Sequence, residues 1–236
     1  MIAKEPSRHE VWRMFDRVAN RYDFLNHFLS FNRDKAWRRK LADSLPDGNE
    51  LTVLDLATGT ADQLLALYDT GRVRNGVGVD MAEQMLAIGQ IKIDRRRLSE
   101  SLKLLRADAE RLPFGNGCFD VVSITFGIRN VLDVSLALRE MHRVLHTGGR
   151  VLILEFSLPH NVLLRKLYLF YFRRILPRLG GLISGDAYAY HYLNETVETF
   201  PYGDSFRSLM GGAGFINVKE TPLTFGVATL YQGDKA

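Results

Sequence analysis

The chain has 236 residues, of which 46% are hydrophobic, enough for one sizeable α/β domain with a buried core. The 31 Lys and Arg residues against 27 Asp and Glu give a net charge of +4, far below that of a nucleic-acid-binding tail, so we expect no nucleic-acid partner. Cys118 is the only cysteine, which excludes an internal disulfide, and the 6 histidines lack metal-ligand spacing, so no metal site is expected.

The hydropathy pattern argues against a membrane-spanning chain. The start, "MIAKEPSRHE", lacks the apolar segment of a secretory signal, and nowhere do about 18 uncharged apolar residues follow one another. We therefore expect a cytoplasmic protein that is either soluble or peripheral to a membrane.

The first predicted elements are helices over residues 8–45, which are rich in aromatic and basic side chains. From Leu51, short apolar runs alternate with stretches of helical period, which predicts βαβ units and a parallel sheet. Helices are expected near residues 61–71, 82–99 and 133–146, whereas "AERLPFGNG" contains Pro and Gly and predicts none. The predicted strands are "LTVLDLA", "NGVGVD", "LKLLRAD", "FDVVSITF" and "RVLILEFS".

The last third of the chain breaks this alternation. Residues 158–205 form a long helical insertion ahead of a final helix. "FINVKETPLT" and "GVATLYQGDK" then follow one another through a short Pro-containing turn, which predicts an antiparallel hairpin at one sheet edge. We expect residues 1–236 to form one domain.

The loop after the first strand, "VLDLATGTADQ", contains Gly59, which lets the backbone approach a ligand at the start of the next helix. The second strand ends in Asp80, whose carboxylate could accept hydrogen bonds from both hydroxyls of a ribose. Asp80 could equally cap the following helix. Because "TGTADQ" has a single glycine, the dinucleotide fingerprint G-x-G-x-x-G is missing, which argues against a nicotinamide-dependent dehydrogenase.

The third strand ends in "ADAERLPF", which places Asp108 and the backbone N–H of Ala109 at the edge of the sheet where open α/β sheets bind ligands. This pair could hold the exocyclic amine and a ring nitrogen of an adenine. The structural alternative is an Asx turn that closes the loop.

Taken together, "LDLATGTAD", "GVDMAEQML", "ADAERLPF" and "FDVVSITFGIRN" resemble the class I S-adenosylmethionine (SAM)-dependent methyltransferases. More narrowly, the chain resembles the demethylmenaquinone and ubiquinone/menaquinone biosynthesis C-methyltransferase family. The likeness also includes "MFDRVANRYDFLNHFLSFNRDKAWRR", "EMHRVLHTGGRVLILEFS", "YHYLNETVETFP", "LMGGAGF" and "LTFGVATLYQG". It implies a Rossmann-like, seven-stranded α/β sheet with an antiparallel C-terminal hairpin.

The resemblance also implies the cofactor, SAM, and the residues that would hold it. Family members often have glycines where Thr58 and Ala61 stand here, and these added side chains could change how the methionine part is held. Tyr22 and Asp23 could close over the site as part of a lid formed by residues 8–45, with Asp23 also facing the substrate, or they could be a core aromatic and a helix cap. The expected cofactor contacts are Tyr22, Asp55, Gly59, Thr60, Asp80, Met81, Asp108, Ala109 and Thr125.

Arg129 and Asn130 follow the fourth strand in "FGIRN", next to the expected methyl donor. A hydroquinone carbon becomes nucleophilic when a ring hydroxyl loses its proton, so a site for this chemistry needs donors aimed at the phenolate oxygen. We predict that Arg129 stabilises the phenolate and that Asn130 orients the ring or a proton-accepting water. The structural alternative pairs Arg129 with Asp133 or Glu140 and makes Asn130 the cap of the next helix.

His191 in "YAYHYLNET" is a candidate general base because its reference pKa of about 6.5 suits proton transfer at neutral pH, although a histidine among tyrosines is more often structural. Its neighbours Tyr190 and Tyr192 are candidate substrate contacts.

The segment "NVLLRKLYLFYFRRILPRLGG", residues 161–181, is apolar but interrupted by five basic residues. It could lie in a membrane interface and line the path of an isoprenoid tail, or it could pack on the domain as an amphipathic helix. A homodimer interface could use the same apolar surface.

The expected activity is C-methylation of a reduced, demethylated polyprenyl quinone, from demethylmenaquinol to menaquinol, with a ubiquinone precursor as a second acceptor. The expected location is the inner face of the cell membrane, with peripheral and transient contact. The alternatives are another small-molecule methyltransferase and a non-catalytic SAM-binding, membrane-docking module.

Overall fold

A computed structural model describes residues 11–175 and 187–236. In this part of the chain the sheet has seven strands in the order β3-β2-β1-β4-β5-β7-β6. Strands β1 to β5 pair in parallel, whereas β7 runs antiparallel to β5 and β6 antiparallel to β7. The strands are β1 (Leu51–Leu56), β2 (Val73–Asp80), β3 (Leu102–Arg106), β4 (Phe119–Thr125), β5 (Leu145–Phe156), β6 (Phe215–Leu223) and β7 (Ala228–Lys235).

The C-terminal hairpin was predicted and is confirmed, but its turn differs in detail. Pro222 lies inside β6 and pairs with Thr229, while the turn itself is formed by Thr224–Gly226. The sheet tolerates this proline because β6 is an edge strand. On its outer side no further strand needs a hydrogen bond from the backbone N–H that proline lacks.

Helices fill the connections that the helical period predicted, and the described loop between β3 and β4 contains none. The helix after β2 ends earlier than expected, since Arg97 has a left-handed backbone with φ of 57°. A short π-helical segment, Tyr171–Ile175, continues α6. The helices are α1 (Val11–Leu29), α2 (Arg33–Ala42), α3 (Asp62–Tyr68), α4 (Glu83–Arg95), α5 (Val134–Val144), α6 (Val162–Phe170), α7 (Ala187–Thr199) and α8 (Asp204–Gly212).

The central strands β1 and β4 are buried on both faces, as a parallel α/β sheet requires, whereas the edge strands β3 and β6 are largely exposed. On one face β1 and β4 pack with α5 and α8 through buried residues such as Met141 and Phe206. On the other face α2, α3 and α4 contribute Leu41, Leu64 and Ile93. Helix α1 lies against α4, which places the N-terminal helices beside the carboxyl ends of the strands.

Candidate active site

Two adjoining cavities lie at the carboxyl ends of the parallel strands. The strand-end cavity has a volume of about 200 Å³ and is bounded by the loops that follow β1 to β4. The aromatic cavity, of about 440 Å³, lies between those loops and helices α1, α2, α6 and α7. Phe15, Tyr22 and Phe126 line both, so a ligand in one can contact a ligand in the other.

Gly59 and Asp80, predicted from separate motifs, meet at the strand-end cavity. Gly59 has a left-handed backbone, with φ of 56°, and its N–H donates to Asp80 Oδ2 at 2.8 Å. Asp80 Oδ1 accepts from the N–H of Ala82 at 2.8 Å, although Ala82 itself is the N-cap residue of α4. Burial raises the pKa of Asp80 from its ordinary value. The carboxylate therefore orders the loop and faces the cavity at the same time.

Asp108 and Ala109 line the same cavity, together with Met81 and Thr125. The Asx turn proposed as the alternative is also present, since Asp108 Oδ1 accepts from the N–H of Glu110 at 2.9 Å. The turn uses one carboxylate oxygen and fixes the loop, while the adenine contact of Asp108 stays a prediction.

Asp55 does not line either cavity and lies beneath the loop. It is 1% exposed and accepts hydrogen bonds from Thr58 Oγ1 at 2.7 Å and from Ser123 Oγ at 2.6 Å. The hydroxyl of Thr58 is thereby directed into the protein, and neither Thr58 nor Ala61 is among the residues that line the strand-end cavity. Thr58 and Ala61, which stand where family members often have glycines, therefore do not narrow the strand-end cavity.

Asp55 should make the stability of the protein fall as the pH rises. Burial raises its pKa to about 6, so the folded state binds the proton more tightly than the unfolded state. Its contribution is fully present below pH 4 and is lost as the pH rises through 6, a change of about 3 kcal/mol. Urea unfolding of the wild type and of Asp55→Asn between pH 4 and 7 measures this contribution. Equal slopes in the two proteins would contradict the assignment.

Thr60 and Asp23 belong to a polar cluster, and neither is among the residues that line the two cavities, so their predicted ligand contacts stay predictions. Thr60 Oγ1 donates to Asp23 Oδ1 at 2.6 Å, and Lys92 Nζ lies 2.6 Å from both Asp23 Oδ2 and Asp62 Oδ1. Tyr22, the neighbour of Asp23, does line both cavities. Adjacent helical residues point about 100° apart, so Tyr22 faces the cavities while Asp23 fastens α1 to the loop and α4.

Arg129 lines the aromatic cavity and forms a buried ion pair that the sequence did not predict. Its Nη1 lies 2.7 Å from Glu155 Oε1 and donates to the carbonyl of Phe126 at 2.6 Å. Glu155 is fully buried, and burial raises its pKa. The predicted alternative partners are wrong, because Asp133 caps α5 through Leu136 and Glu140 pairs with Arg143.

Asn130 lines the strand-end cavity, while Arg129 lines the aromatic cavity, so the two neighbours face different spaces. Asn130 does not cap α5. Among the residues that the structure describes, Asn130 Oδ1, Arg129 Nε and the hydroxyl of Tyr168 are buried without hydrogen-bond partners. Buried polar atoms normally find partners, so these three are suited to bind polar groups of ligands.

The third predicted group lies on α7. Tyr192 is 8% exposed and lines the aromatic cavity. The backbone of α7 is described over its whole length, whereas the side chains of Tyr190 and His191 lie outside the described part of the chain. Their roles stay predictions.

Sequence reasoning missed most of the apolar lining of the two cavities. Trp37, Phe126 and Phe156 pack together in the aromatic cavity, with Phe126 and Phe156 stacked 4.4 Å apart. Trp37 Nε1 also donates to Thr224 Oγ1 at 2.8 Å, which fastens α2 to the hairpin turn. Phe126 has a left-handed backbone, an uncommon conformation for an aromatic residue. Neither Phe126 nor its neighbours in the sequence predict this conformation.

The sheet order, the antiparallel hairpin and the cavity at the strand ends define the class I SAM-dependent methyltransferase fold. A structure of a SAM-dependent methyltransferase from Thermotoga maritima matches with a TM-score of 0.66 at 19% identity, covering 95% of this chain and 99% of that one. The model of the ubiE/COQ5 methyltransferase family matches residues 2–235, and the chain belongs to this family.

Two curated relatives match over nearly their full length. The chain is 46% identical to "Demethylmenaquinone methyltransferase" of Thermus thermophilus over 222 residues, which is 94% of this chain and 100% of the relative. It is 43% identical to "Ubiquinone/menaquinone biosynthesis C-methyltransferase UbiE" of Geotalea uraniireducens over 227 residues, 96% of each chain. The sequence-based family assignment is confirmed, and the protein is a methyltransferase.

The strand-end cavity fits the cofactor that the family implies. A Cβ added at Gly59 would meet no atom within 4 Å, so space is open beside the loop. Asp80, Asp108 and Ala109 line this cavity; there Asp80 would accept from ribose hydroxyls, and Asp108 and Ala109 would meet an adenine edge with an acceptor and a donor. When bound, SAM supplies an activated methyl group.

Proposed function

We propose that this enzyme C-methylates a reduced, demethylated polyprenyl quinone, converting demethylmenaquinol to menaquinol, with a ubiquinone precursor as a second acceptor. The observation that supports this most is the aromatic cavity adjoining the strand-end cavity. Its volume and aromatic walls suit a flat quinol head group. The buried donors of Arg129 and Tyr168 suit the quinol oxygens.

The residues around the cavities would act by positioning and by charge. Arg129 would stabilise a phenolate oxygen of the acceptor, and Glu155 would hold the guanidinium in place. Asn130 would orient the reacting groups from the strand-end cavity, where its Oδ1 needs a donor. The predicted lid residue Tyr22 would exclude water where the two cavities meet.

A membrane surface would deliver the lipid acceptor to the aromatic cavity. Helix α6 contains no buried residue, and six apolar side chains, four on α6 and two on nearby loops, are each at least 59% exposed. Phe31 and Tyr171 lie at the cavity, with ring centroids 6.3 Å apart. The exposed apolar surface consists of Phe31, Val162, Leu163, Leu167, Phe170 and Phe225.

Positive charge surrounds this surface and favours anionic lipid head groups. Arg33, Arg165, Lys166 and Arg174 are exposed around it. None of the helices that the structure describes is long and apolar enough to cross a membrane. We therefore propose peripheral binding to the inner face of the cell membrane, with the same surface available for a homodimer away from lipid.

The double variant Leu163→Glu/Leu167→Glu should lower binding to phosphatidylglycerol vesicles by about tenfold, because two exposed apolar side chains would be replaced by charges that the head groups repel. Cosedimentation with vesicles measures the effect. Ile91→Glu is the matched control, since Ile91 is 50% exposed on α4, outside the proposed surface. Equal losses in both variants would contradict the proposal, and sedimentation velocity without lipid would detect a dimer.

The function is tested by transfer of labelled methyl from SAM to a short-tailed demethylmenaquinone, with and without a chemical reductant. Label in the lipid only under reduction supports the quinol as acceptor, because an oxidised quinone is an electrophile. Tight SAM binding without label under either condition would favour another small-molecule acceptor or a non-catalytic module.

A further inference from the structure

A buried carboxylate in the wall of the aromatic cavity is connected to the surface through a histidine. Asp34, in the first turn of α2, lines the cavity, and its side chain is 3% exposed. His27, at the end of α1, places Nδ1 2.6 Å from Asp34 Oδ2. The His27 side chain is 26% exposed and lines a separate cavity with Lys35 and Arg39.

Ser30 completes the arrangement by donating from Oγ to Asp34 Oδ1 at 2.7 Å. Each carboxylate oxygen of Asp34 thus has one partner and can still accept a second hydrogen bond. A carboxylate held in this way is fixed in position, borders the space proposed for the quinol, and reaches solvent through one imidazole. Asp55, which is equally buried, lacks a cavity beside it.

We propose that Asp34 accepts the hydroxyl proton of the quinol and that His27 passes it to solvent. This inference rests on the proposed function. The quinol O–H bond breaks and its proton goes to Asp34, which leaves a phenolate. The ring carbon then uses its electron pair to bond the methyl carbon, while the pair of the breaking carbon–sulfur bond stays on sulfur. Loss of the ring hydrogen as a proton and return of a proton to oxygen restore the aromatic quinol, so one proton is released in total.

The charges around the cavity favour this direction of transfer. Arg33, Arg38 and Arg129 line it, and Arg38 lies over the ring of Phe126, with Cζ 5.8 Å from the centroid. These cations stabilise the phenolate that forms when Asp34 takes the proton. Among the described residues, the other titratable groups that line the cavity are Tyr22 on α1, Tyr168 on α6, Tyr171 in the π-helical segment and Tyr192 on α7.

Kinetics of Asp34→Asn with short-tailed demethylmenaquinol under reductant test the inference. The expected kcat is about 100-fold lower, the scale of losing a general base, whereas SAM affinity by calorimetry and the KM for quinol change by less than about threefold. The loss in kcat should shrink by about tenfold with a hydroquinone made more acidic by an electron-withdrawing substituent, and also as the pH is raised. A merely structural role would not depend on the acidity of the acceptor.

Two further variants keep the test decisive if Asp34→Asn folds poorly. His27→Gln retains a hydrogen-bond donor to Asp34 but cannot relay a proton, so it should lower kcat by about tenfold with the same dependence on acceptor acidity. Asp120→Asn removes the carboxylate of a second histidine–aspartate pair, in which His146 Nε2 lies 2.5 Å from Asp120 Oδ1 outside both cavities, and should retain most of kcat. Losses that are equal in all three variants and independent of acceptor acidity would overturn the inference. Absence of wild-type turnover would instead overturn the proposed function and the inference with it.

Discussion

Arg129→Leu should lower turnover by at least about 100-fold and, at the same time, lower the free energy of unfolding by about 3–5 kcal/mol. The loss of turnover follows from removing a cation beside the proposed phenolate. The loss of stability follows from the ion pair, since Glu155 is fully buried and would lose its positive partner, which lies 2.7 Å away. Assays with reduced quinol measure turnover, and urea unfolding measures stability. Calorimetry with SAM checks that cofactor binding is retained.

The double variant Arg129→Leu/Glu155→Gln separates the effect of the unpaired buried charge on stability from the effect of Arg129 on turnover. The neutral amide removes the uncompensated charge but can still accept from the N–H of Phe156, so most of the stability should return while turnover stays low. Arg143→Leu is the control, because Arg143 pairs with Glu140 at 2.6 Å, outside both cavities. Turnover of this control should be close to that of the wild type.

The pH dependence of stability gives an independent check on Glu155. Burial raises its pKa, so the folded state holds the proton more tightly and stability falls as the pH rises through that value. Without the positive charge of Arg129, the pKa of Glu155 should rise further. The free energy of unfolding of Arg129→Leu should therefore fall more steeply with pH near neutrality than that of the wild type. The double variant should lack this dependence. A single variant as stable as the wild type at pH 7 would contradict the buried-pair argument.

The sheet and the strand-end residues could be predicted because both depend on local sequence. Strand and helix periods are visible within a few residues, and parallel strands bring their carboxyl ends together, so Gly59, Asp80 and Asp108 converge. The partner of Arg129 could not be predicted in this way. Glu155 is 26 positions away, near the end of β5, and it becomes a neighbour only because β4 and β5 pair in parallel.

The aromatic cavity was less predictable still, because its walls come from helices whose docking the sequence does not specify. Tyr22 and Asp23 show the limit. The motif that contains them was recognised, but the rotation of α1 decides which of them faces the cavities, and the contacts of Asp23 with Thr60 and Lys92 reveal that rotation. Asp34 and His27 belong to the same motif, and their pairing depends on the corner between α1 and α2.

Asp80→Asn should weaken SAM binding by about 10- to 150-fold, which corresponds to about 1.5–3 kcal/mol for charge-assisted hydrogen bonds to the ribose hydroxyls. An amide offers one acceptor oxygen in place of two, while Gly59 and Ala82 already require two, so a ribose would compete with the backbone for it. Calorimetry with SAM and with its demethylated product measures the loss.

Asp120→Asn is the matched control for Asp80. Asp120 also accepts from a backbone N–H, that of Thr52 at 2.7 Å, but it lies near the start of β4, away from the cavities. The substitution should therefore alter stability without altering SAM affinity. Similar SAM affinities for the two variants would mean that Asp80 only orders its loop, and the ribose contact would then have to be assigned to another residue of the strand-end cavity.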